Sequence, residues 1–455
     1  MVHLASALLV AGAAFAVARP ATEIFERQAT CSTAASYPTV NYAKLPDPFT
    51  TSGGTKVATK ADFECRRAEI NKILQQYELG TYPPPPDKVD GSLSGNTLTV
   101  KVTVGSKSIS YTASIKKPSG SGPQPAIITI GGSSLPIPGT VGTIGFGNDD
   151  FASQASSGSR GKGKFYDLFG SGHSAGALTA WAWGVDRLID ALEQLGPDKT
   201  GIDTKRLGVT GCSRNGKGAF ITGALVSRIA LTLPQESGSG GAACWRISDS
   251  QKNAGKNIQT AGEIIGENVW FSKNFDPYVK ATSTIPADHH LLAALTVPRG
   301  LLAFENDIDW LGPVSTTGCM KAGRLIYKAY GVPNNMGFSL VGGHSHCQFP
   351  SSSQPELTAY INYFLLNNPT APSSIERSTV TLDATLWAPW DVPSLTEQWK
   401  RGSEERGEVG SRFWGEIMNW TNTLVSQLVP MESKQKKKDA KFAKPSGQVT
   451  VHGVW

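Results

Sequence analysis

Between about residues 46 and 395 the hydrophobic and polar positions switch repeatedly between two periods. A period near two predicts strands, and a period near 3.6 predicts helices. "LTVKVTVGSKSISYTASIK" alternates as antiparallel strands do. "QPAIITIGG" is a short unbroken apolar run ending in glycines, the pattern of a buried strand. "AGALTAWAWGVDRLIDALEQLG" keeps apolar residues at helical spacing and stops on a glycine. "KRLGVTGCSRNGKGAFITGALVS" reads as strand, turn and helix, and "RIALTLPQESG" and "RGLLAFENDIDW" as two strand-then-loop units. "GFSLVGGHSH" gives a last strand, and "PELTAYINYFLLN" a closing helix.

Short strands alternating with longer helices predict an α/β protein built on a mostly parallel sheet. The order fits an α/β-hydrolase fold, a three-layer α/β/α sandwich whose reactive groups sit on loops at the carboxyl ends of strands. The ends of the chain differ from this body. "MVHLASALLVAGAAFAVARP" is a small-residue and aliphatic run followed by A-V-A, the pattern of a secretory signal peptide over residues 1–18, although its start lacks Lys or Arg. It is too short and Ala-rich to span a bilayer well. Residues 19–45 read as a polar, irregular extension, 46–395 as the catalytic domain and 396–455 as a basic tail without an apolar period.

Composition changes this picture little. Hydrophobic residues make up 39% and charged residues 18%, ordinary for a globular protein. The net charge of +6 is concentrated: "SKQKKKDAKFAK" holds six lysines and one aspartate, which accounts for +5 of it. A basic groove for nucleic acid is therefore not supported, and no membrane partner is expected. Six cysteines in a secreted chain favour three disulfides. Asn419-Trp420-Thr421 is a glycosylation sequon.

The candidate chemistry starts at "GVTGCSRNGKGAF". Ser213 follows a β-branched run and precedes a small-residue helix, as a serine nucleophile on a strand-to-helix turn would. The usual spelling is G-x-S-x-G, but Asn215 stands where the second glycine belongs, and the glycine arrives at Gly216. A P-loop is excluded because Lys217 is followed by Gly218 rather than Ser or Thr. The backbone N–H of Arg214 at the helix start would face a developing oxyanion. The base should follow the last strand, which selects His344 or His346 over His173, His289 and His290, which read as surface or helix-end residues. Cys212 precedes Ser213 and Cys347 follows His346, so a bond between them would clamp the two segments together; this favours His346. For the orienting acid, Glu236 on one loop and Glu305, Asp307 or Asp309 on another stand even on spacing alone. The chain has no HExxH and no paired CxxC, so neither metal nor cofactor is implied.

"GCSRNGKGA", "PQESGSGG", "AWAWGVDRLIDAL" and "GHSHCQFP" together resemble the fungal glucuronoyl esterases, carbohydrate esterase family fifteen, over roughly residues 45–393. The resemblance implies Ser213 as nucleophile, His346 as base and Glu236 as acid, with Arg214 acting on the oxyanion through its N–H and its guanidinium. It implies that Lys217, Gln259, Glu267 and Trp310 grip the sugar of 4-O-methyl-glucuronate. It also implies the pairs Cys212–Cys347, Cys31–Cys65 and Cys244–Cys319, and an elbow whose glycine comes one place late. The expected substrates are esters between glucuronoxylan and lignin alcohols, cleaved by a secreted monomer. An acetyl-xylan or feruloyl esterase on the same fold, a non-catalytic xylan-binding protein and a secreted serine peptidase are the rivals.

Overall fold

A computed structural model describes residues 31–397 of the chain. The signal-like leader, the sequon at Asn419 and the lysine run lie outside the described residues. The strands are β1 (Lys88–Ser94), β2 (Thr97–Val104), β3 (Lys107–Lys116), β4 (Gln124–Ile130), β5 (Gly142–Phe146), β6 (Ile202–Cys212), β7 (Ile229–Gln235), β8 (Gly300–Glu305), β9 (Met336–Leu340) and β10 (Glu376–Arg377). They form one sheet in the order β1-β2-β3-β5-β4-β6-β7-β8-β9-β10. The β1-β2, β2-β3 and β3-β5 pairs are antiparallel, and every pair from β5 to β10 is parallel.

The sequence pattern accounts for this division. β3 alternates buried and exposed residues along most of its length, whereas β4 and β7 are buried almost throughout. Half-covered antiparallel strands and doubly covered parallel ones leave those two signatures. The main helices are α1 (Lys60–Leu74), α2 (Ala177–Leu195), α3 (Arg214–Leu225), α4 (Trp245–Asn253), α5 (Ala261–Glu267), α6 (Pro313–Ala329) and α7 (Gln354–Phe364). A capping box of Thr59 and Asp62 starts α1. The long helix α2 is buried along most of its length, including Trp181 and Trp183, and ends at Gly196 with φ 83°.

Chain order reverses direction at β4: β5 lies on one side of it and β6 on the other. Such a reversal leaves a crevice outside the carboxyl ends of the two central strands. Ser213 lies at the end of β6, on that edge. Residues 31–45 contain no helix or strand, yet Tyr37 and Leu45 are buried in the core. Disulfides join Cys31 to Cys65, Cys212 to Cys347 and Cys244 to Cys319, the pairs the resemblance implies. No helix among the described residues is long and apolar enough to cross a membrane.

Candidate active site

Ser213 turns the chain from β6 into α3 with φ 59° and ψ −125°. A side chain at positive φ is strained and persists only where its surroundings hold it. Here the Ser213 N–H donates to Gln235 O at 2.9 Å, and its carbonyl accepts from Lys217 N at 3.0 Å. The two neighbouring glycines are steric requirements. A Cβ on Gly211 would stand 2.5 Å from Asn215 O, and one on Gly216 would stand 2.3 Å from Gln235 O. The crowded position of this turn is thus 216, where the backbone abuts the end of β7. Position 215 has another use: Asn215 Oδ1 accepts from Asn148 Nδ2 and from Gln154 Nε2, both at 3.1 Å.

Glu236 follows β7 directly and also has positive φ, 43°. Its N–H donates to Phe304 O at 2.6 Å, which fixes the turn against β8. Glu236 Oε2 lies 2.6 Å from His346 Nδ1 and accepts from Cys347 N at 2.9 Å. With Nδ1 facing the carboxylate, Nε2 is the ring nitrogen left to take up a proton. Cys347, at φ 63°, continues from His346 and is bonded to Cys212 beside Ser213. Of the four non-glycine residues with positive φ in the described chain, Ser213, Glu236 and Cys347 lie at this one site.

The walls around this group are charged and aromatic. Lys217 is buried and donates to Ser237 O at 2.6 Å. Burial pushes its ammonium down to about 8, opposed by the nearby Glu305 and Glu267. Gln259 Nε2 donates to Glu267 Oε2 at 3.1 Å, and Arg214 lies 4.0 Å from the other Glu267 oxygen. Gln259 N also donates to Trp310 O at 3.2 Å. The Trp310 ring stands edge-on to His346 at 4.9 Å between centroids. Residues that the sequence placed at 217, 259, 267 and 310 therefore meet around the same loops as Ser213, Glu236 and His346. Among the described residues no group of three or more His, Cys, Asp or Glu side chains is placed to hold a metal.

Comparison with known proteins gives the site its family. The family model "Glucuronyl esterase, fungi" matches residues 100–331. A 4-O-methyl-glucuronoyl methylesterase of Thermothelomyces thermophilus is 74% identical over 396 residues, 87% of this chain and all of that protein. One from Neurospora crassa is 73% identical over 397 residues, with the same coverage. The chain belongs to the fungal glucuronoyl esterases. These are carboxylic ester hydrolases. A crystal structure of a glucuronoyl esterase serine-to-alanine variant from Sporotrichum thermophile superposes with a TM-score of 0.80 at 73% identity, covering 81% of this chain and all of that one. That variant is in complex with methyl 4-O-methyl-β-D-glucopyranuronate.

Several side chains of this glucuronoyl esterase stand apart from the readings made of them in sequence. His289 and His290 were expected at the surface or at helix ends; they open a short 3₁₀ turn, but both are fully buried. Asp288 draws them inward, because its carboxylate accepts from Trp245 N and Arg246 N at the start of α4 and pairs with buried Arg246. His289 then pairs with buried Glu78, and His290 Nε2 meets Pro46 O at 2.8 Å. His344 lies 3.7 Å from Glu236 Oε1, with its Nε2 on Val341 O, so it lines the acid rather than replacing His346. Glu305, even with Glu236 on spacing, instead accepts from Ser237 N, Ser237 Oγ and Gly238 N at 2.9, 2.7 and 3.3 Å. Burial pushes its carboxyl up to about 7. Asp307 and Asp309 are exposed. Sequence reasoning missed Asn306, whose Nδ2 approaches Glu236 Oε2 at 3.4 Å, and the buried pair Gln154 and Trp270. None of the three belongs to a motif, and nothing in the sequence marks them.

Proposed function

We propose that this chain is a secreted esterase that cleaves the bond between 4-O-methyl-D-glucuronic acid side chains of glucuronoxylan and lignin alcohols. The observation that carries the mechanism is the 2.6 Å approach of His346 Nδ1 to Glu236, on a loop bonded through Cys347 to the residue before Ser213. Ser213 Oγ attacks the C6 carbonyl, and His346 Nε2 takes its proton. The oxyanion is met by the Arg214 N–H at the start of α3 and by the Arg214 guanidinium. His346 then protonates the leaving alcohol, and the acyl group stays on Ser213. Water deprotonated by His346 attacks that ester and releases the free uronic acid. Glu236 keeps the imidazole oriented and stabilises its cationic form through both halves of the cycle.

An esterified uronic acid has no free carboxylate, so its ring must be recognised by hydroxyls and ether oxygens. Lys217 donates, Glu267 accepts, and Gln259 does both. Trp310 gives an apolar face to ring C–H groups or the methyl ether. The substrate class agrees with the methyl glucuronate held by the Sporotrichum thermophile relative. Two measurements test the proposal. Ser213→Ala should lower kcat on methyl 4-O-methyl-D-glucuronate by on the order of 10⁴-fold or more without unfolding the protein. The wild-type protein should prefer that ester over methyl galacturonate and over an aryl acetate. Turnover retained by Ser213→Ala would remove the mechanism, whereas preference for the acetate would keep the mechanism and overturn the sugar assignment.

A further inference from the structure

The two cations of the site share one support. The Arg214 guanidinium lies 5.5 Å from the centroid of the Trp270 ring, and the Lys217 ammonium 5.7 Å from it. Arg214 and Lys217 are three residues apart in the first turn of α3, so they project to one side of that helix. The Arg214 ion pair with Glu267 is long, 4.0 Å, and Arg214 is substantially exposed. A long, solvated side chain held by so distant a carboxylate would sample many rotamers. The indole beneath it is 2% exposed.

That indole is fixed at its edge and along its backbone. Its Nε1 donates to Gln154 Oε1 at 2.8 Å, and Gln154 Nε2 donates in turn to Asn215 Oδ1 at 3.1 Å. The Gln154 carbonyl accepts from Asn268 Nδ2 at 2.8 Å. The carbonyls of Val269 and Trp270 accept from Ala177 N and Leu178 N, both at 3.1 Å, and so cap the buried helix α2. Arg160 holds the next carbonyl, that of Phe271, at 2.6 Å. A ring bound in this way does not move to follow a cation. The cation settles on the ring, whose face carries the negative lobe of the indole quadrupole.

We propose that Trp270 is a positioning residue for the ester hydrolysis: its indole face sets the Arg214 guanidinium, shared with the Lys217 ammonium, and Gln154 ties the ring to Asn215 on the nucleophile turn. The proposal rests on the roles given above to Arg214 and Lys217. It gives the departure from G-x-S-x-G a use, since a glycine at 215 would have no side chain to complete the chain from elbow to ring. Nucleophile turn, oxyanion cation and sugar-contacting lysine are thereby referred to one rigid plane.

A double-mutant cycle separates positioning from bulk packing. Trp270→Leu, Arg214→Ala and the double variant are compared for kcat/KM on methyl 4-O-methyl-D-glucuronate, with melting temperature as control. Trp270→Leu should lower kcat/KM by about 2- to 30-fold in the wild-type background, the range that cation contacts of this kind supply. In the Arg214→Ala background the loss should be smaller by at least about twofold, the remainder passing through Lys217 and the Gln154–Asn215 tie, while the melting temperature falls equally in both. Equal loss of kcat/KM in both backgrounds would overturn the proposal and leave Trp270 a packing residue. If Arg214→Ala alone keeps full kcat/KM, the role of the guanidinium falls, and this proposal falls with it. Should Trp270→Leu fail to fold, Trp270→Met removes the ring with a longer, more adaptable side chain, and its cycle with Arg214→Ala is read in the same way.

Discussion

Asn215 and Lys217 flank Gly216, and each should leave a measurable trace. Asn215→Gly restores the common spelling of the elbow but removes the acceptor for Asn148 Nδ2 and Gln154 Nε2, both on buried residues. It should destabilise the fold by about 1–3 kcal/mol, read by urea unfolding, and lower kcat as well. For Lys217 the sign follows from burial, which holds its ammonium at about 8, below its ordinary value of 10.5. Below pH 8 it is charged, the form that the proposed sugar contact uses; as pH rises through 8 it loses that charge. The kcat/KM profile should therefore fall on the alkaline side near pH 8, and Lys217→Met should lack that limb at a lower plateau. Glu305 gives a stability test instead. Its folded value of about 7 is raised above the ordinary 4.5 by burial, so the native state holds its proton longer than the unfolded chain does. Stability should fall as pH rises from about 4.5 to 7, and Glu305→Gln should flatten that slope in urea titrations at several pH values.

At the scale of elements, the site depends on loops that follow β6, β7 and β9, and a single covalent bond joins the outer two. Cys212 ends β6 and Cys347 follows His346, with β7 and β8 lying between β6 and β9 in the sheet. Replacing both cysteines by serine should lower stability by about 2–5 kcal/mol, measured by thermal unfolding. It should also lower kcat, because His346 then loses its covalent tie to the Ser213 turn and is aligned by Glu236, the Trp310 edge and its own loop alone. Much of this framework was legible in the sequence, since strands covered on both faces and a nearly all-buried helix write their periods plainly. β1, β5 and β10 were not, because β1 is mostly half-exposed, β5 is five residues long with two glycines, and β10 is two residues long. The serine turn and the histidine loop were legible through their glycines and paired cysteines. Spacing left Glu236 and Glu305 even and only the family resemblance chose Glu236, because the choice turns on positive φ at 236 and on which carboxylate the backbone N–H groups of Ser237 and Gly238 face. Trp270 and Gln154 were beyond reach for a similar reason: 116 residues separate the partners of their hydrogen bond.

For the molecule as a whole, the formal charge is unevenly distributed along the sequence. Most of the formal +6 comes from the lysine run of residues 433–444, and the substrate is an uncharged ester. Raising ionic strength from 0.05 to 0.5 M should therefore change kcat/KM on a small methyl ester by less than about twofold, in contrast with enzymes that steer charged substrates. The positions of the bridges have a further consequence. Cys212–Cys347 and Cys244–Cys319 both span the exposed stretch just after α4, where Lys256 lies open to solvent. A protease that nicks the chain there yields two fragments still joined at two points, one of them beside Ser213. The clipped enzyme should migrate as a single species in a denaturing gel until a reductant is added, and only then part into two.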